Sequence, residues 1–308
     1  MSILVSIVIP TYNRDPLLRA TADSVFAQSY RDWELLVIDH GSTDGSRRYL
    51  ETLGDPRVRS LFLEHSGTVA RVRNVGLLAA RGSCIAFLDS DDLWHRDKLA
   101  LQVAALEEHP ECGWSYTGLA VVDERGLEIP SAGGCPEPSQ RGWILEALIN
   151  GSAVAATSAV VVRRTLLDTV GWFDESLPIC EEIDLFTRLA EASQVTVVPG
   201  ALTLCRRHPG NGPWPRLEIL ACRNRVYDRL IAGASSRRLR RVCRRSKRQF
   251  SLAHLRSLRV AGLYGEARRV LAMSFPYAGW RPAWWIGCLK TWLRPWLRRP
   301  TSGPTAGR

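Results

Sequence analysis

The sequence predicts a doubly wound α/β sheet followed by a separate basic helical region, and three observations predict it. Near-continuous β-branched apolar runs recur at Ser2–Pro10, Trp33–Asp39 and Cys84–Asp89, each closing in a polar turn, as strands buried on both faces of a parallel sheet do. Helical stretches separate them at Leu17–Gln28, Ser46–Leu53 and Ala70–Ala80, and strand, helix, strand in this rhythm is the doubly wound pattern. The charge also changes sign along the chain. Residues 1–205 hold 17 Lys/Arg against 28 Asp/Glu, and residues 206–308 hold 24 against 3.

The later elements follow by the same reading. Asp97–Glu108 is expected as a helix, Gly113–Asp123 as a strand and Pro130–Arg141 as a Pro/Gly-rich loop; Thr157–Arg163 is a strand, Thr165–Val170 and Ile183–Ala192 are helices, and Val195–Val198 is a short strand. Near residue 210 the pattern gives way to Arg-rich helices at Arg216–Ile231 and Ser236–Arg259 and then to a Trp-rich tail. The expected organisation is therefore an α/β domain over 1–210 and a helical extension over 211–308.

With 308 residues, 45% hydrophobic and 23% charged, the chain can bury a large core, which excludes a small stapled scaffold. Its eight cysteines form no C-x-x-C pair and no Cys/His cluster at zinc spacing, so free thiols in a reducing compartment are expected. Met1–Pro10 lacks a basic n-region, and no window reaches 18 uninterrupted apolar residues. The expected location is the cytoplasm, peripherally at the inner face of the plasma membrane.

In such sheets ligands gather beyond the carboxyl ends of the strands, which directs attention to Thr11–Arg14, Asp39–Asp44 and Asp89–Asp92. Asp89-Ser90-Asp91-Asp92 follows an apolar run directly. Carboxylates crowded at one strand end repel, and Mg²⁺ or Mn²⁺, which takes one or two carboxylates plus phosphate oxygens and water, relieves the repulsion. The alternative is an Asx-type turn in which Asp91 or Asp92 caps the next helix. Ser42, Thr43 and Asp44 fit helix capping, whereas Asp39 is aimed into the crevice, where a carboxylate accepts an N–H from a nucleobase.

These residues resemble the family 2 glycosyltransferases, which have the nucleotide-sugar-binding, Rossmann-like GT-A fold. The resemblance rests on VSIVIPTYNR (5–14), SVFAQSYRDWELLVIDHGSTDGS (24–46), ARVRNVGLLAARG (70–82), FLDSDDLWHRDKL (87–99) and GWFDESLPICEEIDLFTRLA (171–190). It implies inverting transfer of a sugar from a nucleoside diphosphate donor with Mn²⁺ or Mg²⁺ on the diphosphate. Carried over by position, it implies Pro10, Thr11, Tyr12 and Arg14 around the nucleotide, Asp39 reading the base and Arg73 approaching the nucleotide. It places Asp89 on ribose or metal and Asp91 as the main metal ligand; Asp92 orients the turn or the sugar.

The family's base is the second acid of E-D-x-D-L; here Glu181-Glu182-Ile183-Asp184-Leu185 puts Glu182 there. Its extra methylene displaces the carboxylate by about 1.5 Å, a distance at which catalytic geometry matters. Glu181 and Asp184 are then expected near the acceptor, with loop fixing as the other role for Asp184. His40 stands where the family commonly has Asp, which bears on base preference because an imidazole donates as well as accepts. His208, in CRRHPGN, resembles the segment ending many such domains, where it contacts diphosphate or metal or serves only as a loop residue. The Gln-x-x-Arg-Trp motif of processive synthases is absent, so single-sugar addition is expected.

In the extension, RRLRRVCRRSKR (237–248) precedes a tail with Trp280, Trp284, Trp285, Trp292 and Trp296 among Arg and Lys. Trp at membrane interfaces flanked by cations points to an in-plane anchor on anionic lipid. The alternatives are single-stranded nucleic acid, for which no motif is present, and a helical cap packing its Trp residues against protein. The expected reaction partners are a nucleoside diphosphate sugar and a lipid-linked or glycan acceptor in surface polysaccharide or glycolipid assembly. A competing reading is a catalytically impaired nucleotide-sugar-binding partner of another transferase.

Overall fold

The structure is a computed structural model that describes residues 3–65, 67–129, 140–153, 156–211, 216–278 and 282–297. Most of the loop expected at Pro130–Arg141, as well as Trp280, lies outside the described residues. The chain divides into two compact units, Met1–Gly212 and Pro213–Arg308.

Three parallel strands open the first unit: β1 (Val5–Thr11), β2 (Trp33–Asp39) and β4 (Cys84–Phe87), with β3 (Val58–Phe62) added outside β2. Every residue of β1, β2 and β4 is buried, which explains their largely apolar composition. Alternate side chains feed two cores: Ile7, Ile9, Leu35 and Val37 pack with α1 (Leu17–Phe26) and α4 (Lys98–Glu108) on one face. Val8, Leu36, Ile38 and Phe87 pack with α3 (Val69–Ala79) and α7 (Glu181–Ala192) on the other. Gly76 lets α3 approach β1, since a Cβ there would lie 2.5 Å from Val8 Cγ1 and 2.7 Å from Ile38 Cδ1.

The sheet continues through β7 (Val160–Arg163), β6 (Cys112–Val122), β8 (Gln194–Arg206) and the two-residue β5 (Leu93–Trp94), giving the order β3-β2-β1-β4-β7-β6-β8-β5 among the described residues. It is not wholly parallel: β7 runs antiparallel to both β4 and β6, and β5 antiparallel to β8. Three expectations are corrected here. Val58–Phe62 is a strand that the apolar-run criterion misses, because it is a half-buried edge carrying Arg59. The strand expected at Val195–Val198 extends to Arg206, continuing past Pro199 and Gly200 by register shifts against β6. Residues 157–159 form a 3-10 turn, so β7 starts only at Val160. The short helices α2 (Ser46–Glu51), α5 (Leu145–Asn150) and α6 (Arg164–Val170) complete the unit.

The second unit contains α8 (Arg216–Gly233), α9 (Arg237–Val260), α10 (Tyr264–Ala278) and α11 (Pro282–Leu297). Its own core joins Leu220, Leu255, Leu258, Ala267, Val270, Leu271 and Trp284. The described part of the Trp-rich tail beyond Trp280 is thus helical, as α11, and Trp284 packs inside its own unit. Among the described residues no helix is long and apolar enough to cross a membrane.

Candidate active site

Three strand ends and one helix start converge on the carboxyl edge of the sheet. At the end of β1, Pro10 and Thr11 are buried, and Thr11 Oγ1 has no hydrogen-bond partner among the described residues. Asn13 takes a left-handed conformation (φ 50°), which Asn tolerates better than most residues. Its Oδ1 accepts from Thr43 N (2.7 Å), and its own N–H donates to Ser42 Oγ (2.9 Å). Asp44 accepts from Ser46 N at the start of α2 and from Asp15 N. The polar 42–44 run therefore stitches loops rather than capping the helix as expected: the cap residue of α2 is Gly45, with no side-chain cap bond, and only Asp44 reaches the helix start, through Ser46 N.

Asp39 ends β2 fully buried. Its Oδ1 accepts from Ser42 N (3.1 Å), while Oδ2 has no partner among the described residues. An orphaned carboxylate oxygen in a buried position is costly unless a ligand supplies a donor. Beside it Tyr12, still 40% exposed, stacks on His65 with ring centroids 4.2 Å apart, and His40 lies 4.6 Å from the same imidazole. The close passage of His65 past the β2 turn requires Gly41, whose φ is +78° and whose Cβ would meet His65 N at 2.8 Å. His65 is a residue that the sequence reading missed, because nothing in its local pattern separates it from a loop histidine.

Beyond β4, Ser158 organises the acidic turn. Its hydroxyl accepts the Asp89 N–H (3.0 Å) and donates to Asp92 Oδ2 (2.6 Å), and its carbonyl accepts from Trp94 Nε1 (2.8 Å). Asp92 also accepts from Arg206 N (3.1 Å), while its own carbonyl receives Thr21 Oγ1 (2.8 Å). Burial, then the charges of Asp89 and Asp91, push its carboxyl up to about 7. These contacts give Asp92 the turn-orienting role. Neither Asp91 nor Asp92 caps a helix, since β5 intervenes and α4 begins at Lys98.

Asp91 Oδ2 lies 2.9 Å from His208 Nε2 and 3.6 Å from Arg14 Nε. Because His208 Nδ1 accepts the Gly210 N–H (3.1 Å), the neutral ring carries its proton on Nε2 and donates it to Asp91. In this tautomer His208 serves the carboxylate as a donor. Asp91 Oδ1 and Asp89 Oδ2 make no hydrogen bond among the described residues. No cluster of three or more His, Cys, Asp or Glu able to hold an ion occurs among those residues. This donor set fits a hard divalent cation that draws the rest of its ligands from a diphosphate and water.

The connection to the helix start runs through Arg73 on α3. Its guanidinium is 4% exposed and donates through Nη2 to Asp89 Oδ1 (2.7 Å) and through Nη1 to Glu181 Oε1 (2.5 Å), with its centre 5.3 Å from the Phe173 ring. Burial alone would lower its pKa, but the two carboxylates more than offset this and hold it above the ordinary value. Arg73 thus bridges the acidic turn and the acidic helix start. Asn74, next on α3, pins the neighbouring segment: Oδ1 accepts from Phe173 N (3.1 Å), and Nδ2 donates to Phe173 O (3.0 Å) and Glu175 Oε1 (2.8 Å).

Glu182 follows Glu181 at the start of α7, directly after Cys180, a non-glycine residue at φ 63°. Burial and the Glu181 charge raise the Glu182 carboxyl to about 7, with Arg73 opposing them. A carboxylate tuned to that range is suited to taking a proton near neutral pH. Asp184 accepts from Arg188 Nε (2.8 Å), whose other nitrogens hold the carbonyls of Val170, Gly171 and Trp172. This arrangement supports the loop-fixing role for Asp184, one of the two roles expected, and makes Glu181 a partner of Arg73.

A sheet of this order, with carboxylates at its carboxyl edge and an acidic helix start facing them, defines a GT-A nucleotide-sugar-binding fold. The solved structures agree on the fold. Staphylococcus aureus TarS 1–349 in complex with UDP-GlcNAc superposes with a TM-score of 0.65 at 20% identity, covering 84% of this chain and 75% of that one. Mannosyltransferase PcManGT from Pyrobaculum calidifontis, in complex with GDP-Man and Mn²⁺, gives 0.57 at 22% identity, covering 96% and 81%.

Residues 6–147 match the model of the Glycosyl transferase family 2. Among curated relatives, TuaG of Bacillus subtilis (strain 168), named as a glycosyltransferase of teichuronic acid biosynthesis, is 37% identical over 136 residues, 44% of this chain and 54% of that protein. WfgD of Escherichia coli, named as a UDP-Glc:alpha-D-GlcNAc-diphosphoundecaprenol beta-1,3-glucosyltransferase, is 42% identical over 124 residues, 40% and 49% of the two chains. The chain spans about half the length of these two curated relatives.

Proposed function

We propose that this chain is an inverting, metal-dependent glycosyltransferase that moves a sugar from a nucleoside diphosphate donor to a hydroxyl of a membrane-associated, lipid-linked acceptor in surface polysaccharide or glycolipid assembly. The observation that carries the reading is the Arg73 bridge, which ties the strand-end carboxylates to the helix start bearing Glu182. The relatives' names support a role in cell-surface glycan synthesis, and WfgD's name supports a diphosphate-lipid acceptor.

In this reading Asp39 Oδ2 accepts an N–H of the nucleobase, with Pro10, Thr11, Tyr12 and Arg14 around the nucleotide. Asp91 and Asp89 would hold Mn²⁺ or Mg²⁺, which when bound supplies positive charge to the diphosphate. Glu182 takes the proton of the acceptor hydroxyl while that oxygen forms its bond to the anomeric carbon. The bond to the diphosphate oxygen breaks on the opposite side, inverting the centre. Arg73 steers Glu181 and Asp89 away from repelling one another and keeps Glu182 from rising further in pKa.

The test is calorimetric titration of the purified protein with nucleoside diphosphates and nucleotide sugars, with Mn²⁺ and with chelator, followed by transfer to diphosphate-lipid acceptors. One nucleotide binding tightly only with metal, and transfer that inverts the anomeric centre, are expected. Binding without transfer to any acceptor would favour the impaired-partner reading, and no nucleotide binding would overturn the assignment.

A further inference from the structure

We infer that the outer face of α11, together with the exposed side of α10, is a docking surface for an anionic lipid bilayer. The inference deepens the proposed function, resting on it only for the view that the acceptor lies at a membrane.

The argument begins with the two faces of α11. Trp284, Gly287 and Thr291, spaced three and four residues apart, are buried, and Trp284 joins the core of the second unit. One or two positions on, Trp285, Ile286 and Leu289 occupy the opposite face and are 53%, 49% and 57% exposed. The helix is therefore apolar on the side that its own unit uses and on the side that it does not. A helix with a second apolar face left in water marks an interface with something else.

The neighbouring helix extends the patch. Phe275 of α10 is 54% exposed and packs on Trp284 with centroids 5.3 Å apart, and Trp284 in turn meets Trp285 edge to face at 4.9 Å. Exposed Met273 lies on the other flank of α10, away from Phe275. Cations accompany these side chains: Arg268 and Arg269 are exposed one or two turns before Phe275 and Met273 on α10, and exposed Lys290 follows Leu289 on α11. The outward surface thus alternates an aromatic and aliphatic centre with a cationic margin.

Charge selects the occupant. Residues 206–308 carry 24 Lys/Arg and 3 Asp/Glu, which complements the headgroups of an anionic leaflet. A second copy of this chain would bring two such positive surfaces together, and like charges in juxtaposition oppose that pairing. Single-stranded nucleic acid matches the charge but has no use for exposed Ile286 and Leu289. An interfacial helix with Trp and Leu inward and Lys/Arg at the margin fits a bilayer.

The experiment sediments the full chain with vesicles of phosphatidylcholine alone and of phosphatidylcholine with about one-third phosphatidylglycerol, over a salt series. Expected are binding to the anionic vesicles and at least about a tenfold weaker partition for the Ile286→Glu/Leu289→Glu variant. The variant's thermal midpoint and its response to nucleotide are expected to stay those of the parent, which separates lost docking from lost folding. An Arg268→Gln/Arg269→Gln variant should lose salt-sensitive binding in smaller measure. The inference is overturned if the parent does not pellet with anionic vesicles, or if the Glu variant pellets as well as the parent. It is also overturned if the patch supports a concentration-dependent dimer that the Glu variant abolishes. Vesicle binding without nucleotide binding would sink the enzyme assignment and leave this surface standing; the converse result would do the reverse.

Discussion

Replacing Arg73 should separate the site into halves. The guanidinium is buried and makes one charge-assisted hydrogen bond to Asp89 and another to Glu181. Arg73→Met leaves both carboxylates without their cation, and breaking a buried ion pair from one side costs about 3–5 kcal/mol. At roughly 2–4 °C per kcal/mol for a domain of this size, the thermal midpoint should fall by at least about 6 °C. Arg73→Lys keeps the charge, but an ammonium cannot span two carboxylates as a planar fork does. It should lose one charge-assisted bond, worth about 1.5–3 kcal/mol, or about 10- to 150-fold in kcat/KM if the bond is maintained in the transition state.

A second readout distinguishes a bridge from mere scaffolding. In the proposed role of base Glu182 works in its ionised form, so kcat/KM should rise with pH through its pKa, expected near 7. Arg73 favours the ionised form, so its loss raises that pKa and moves the rising limb to higher pH in both variants, further in the Met variant. The assay is initial-rate transfer between pH 5.5 and 9 with saturating metal, beside thermal unfolding. A Met variant with unchanged midpoint and unchanged limb would refute the reasoning, because Arg73 would then be holding neither carboxylate in place.

Other substitutions probe the remaining parts of the site. Glu182→Gln should retain nucleotide affinity by calorimetry and lose about 10²–10⁴-fold in transfer rate; undiminished transfer would remove it as base. Asp91→Ala should abolish the difference between nucleotide binding with Mn²⁺ and with chelator, and a variant that keeps this difference would move the metal site elsewhere. Gly76→Ala, whose Cβ collides with Val8 and Ile38, should cost about 1–3 kcal/mol by overpacking, seen in urea unfolding; a neutral result would mean that α3 can lift off the sheet freely.

Much of the first unit was readable because its strands are covered on both faces, so that β1 and β2 appear as near-continuous apolar runs, interrupted only by Ser6 and Glu34 before they end at Thr11 and Asp39. β3 escaped because one side of an edge strand needs no apolar residue, and the long β8 was hidden behind Pro199-Gly200. β7 is buried like the parallel strands and shows the same apolar run, so its antiparallel direction was not foreseeable from Thr157–Arg163. The residue types at the site were legible from the polar turns that follow each run. Their pairings were not: Arg73 and Glu181 are 108 residues apart, and Asp89 and Ser158 are 69 apart. Ser158 gives no local signal at all, being one hydroxyl before an apolar run, and its role emerges only when β7 is laid beside β4.

The grip of Asn74 on Phe173 and Glu175 bears on attempts to transplant the segment ahead of α7. One amide clamps the front of that segment by three hydrogen bonds, and buried Leu177 and Cys180 seat its middle and end. A donor loop of the same length that keeps a carboxylate at 175 and apolar side chains at 173 and 177 inherits the mooring unchanged. Pro178, exposed, and Ile179, half-buried, are the places where a library can vary without cutting the rope.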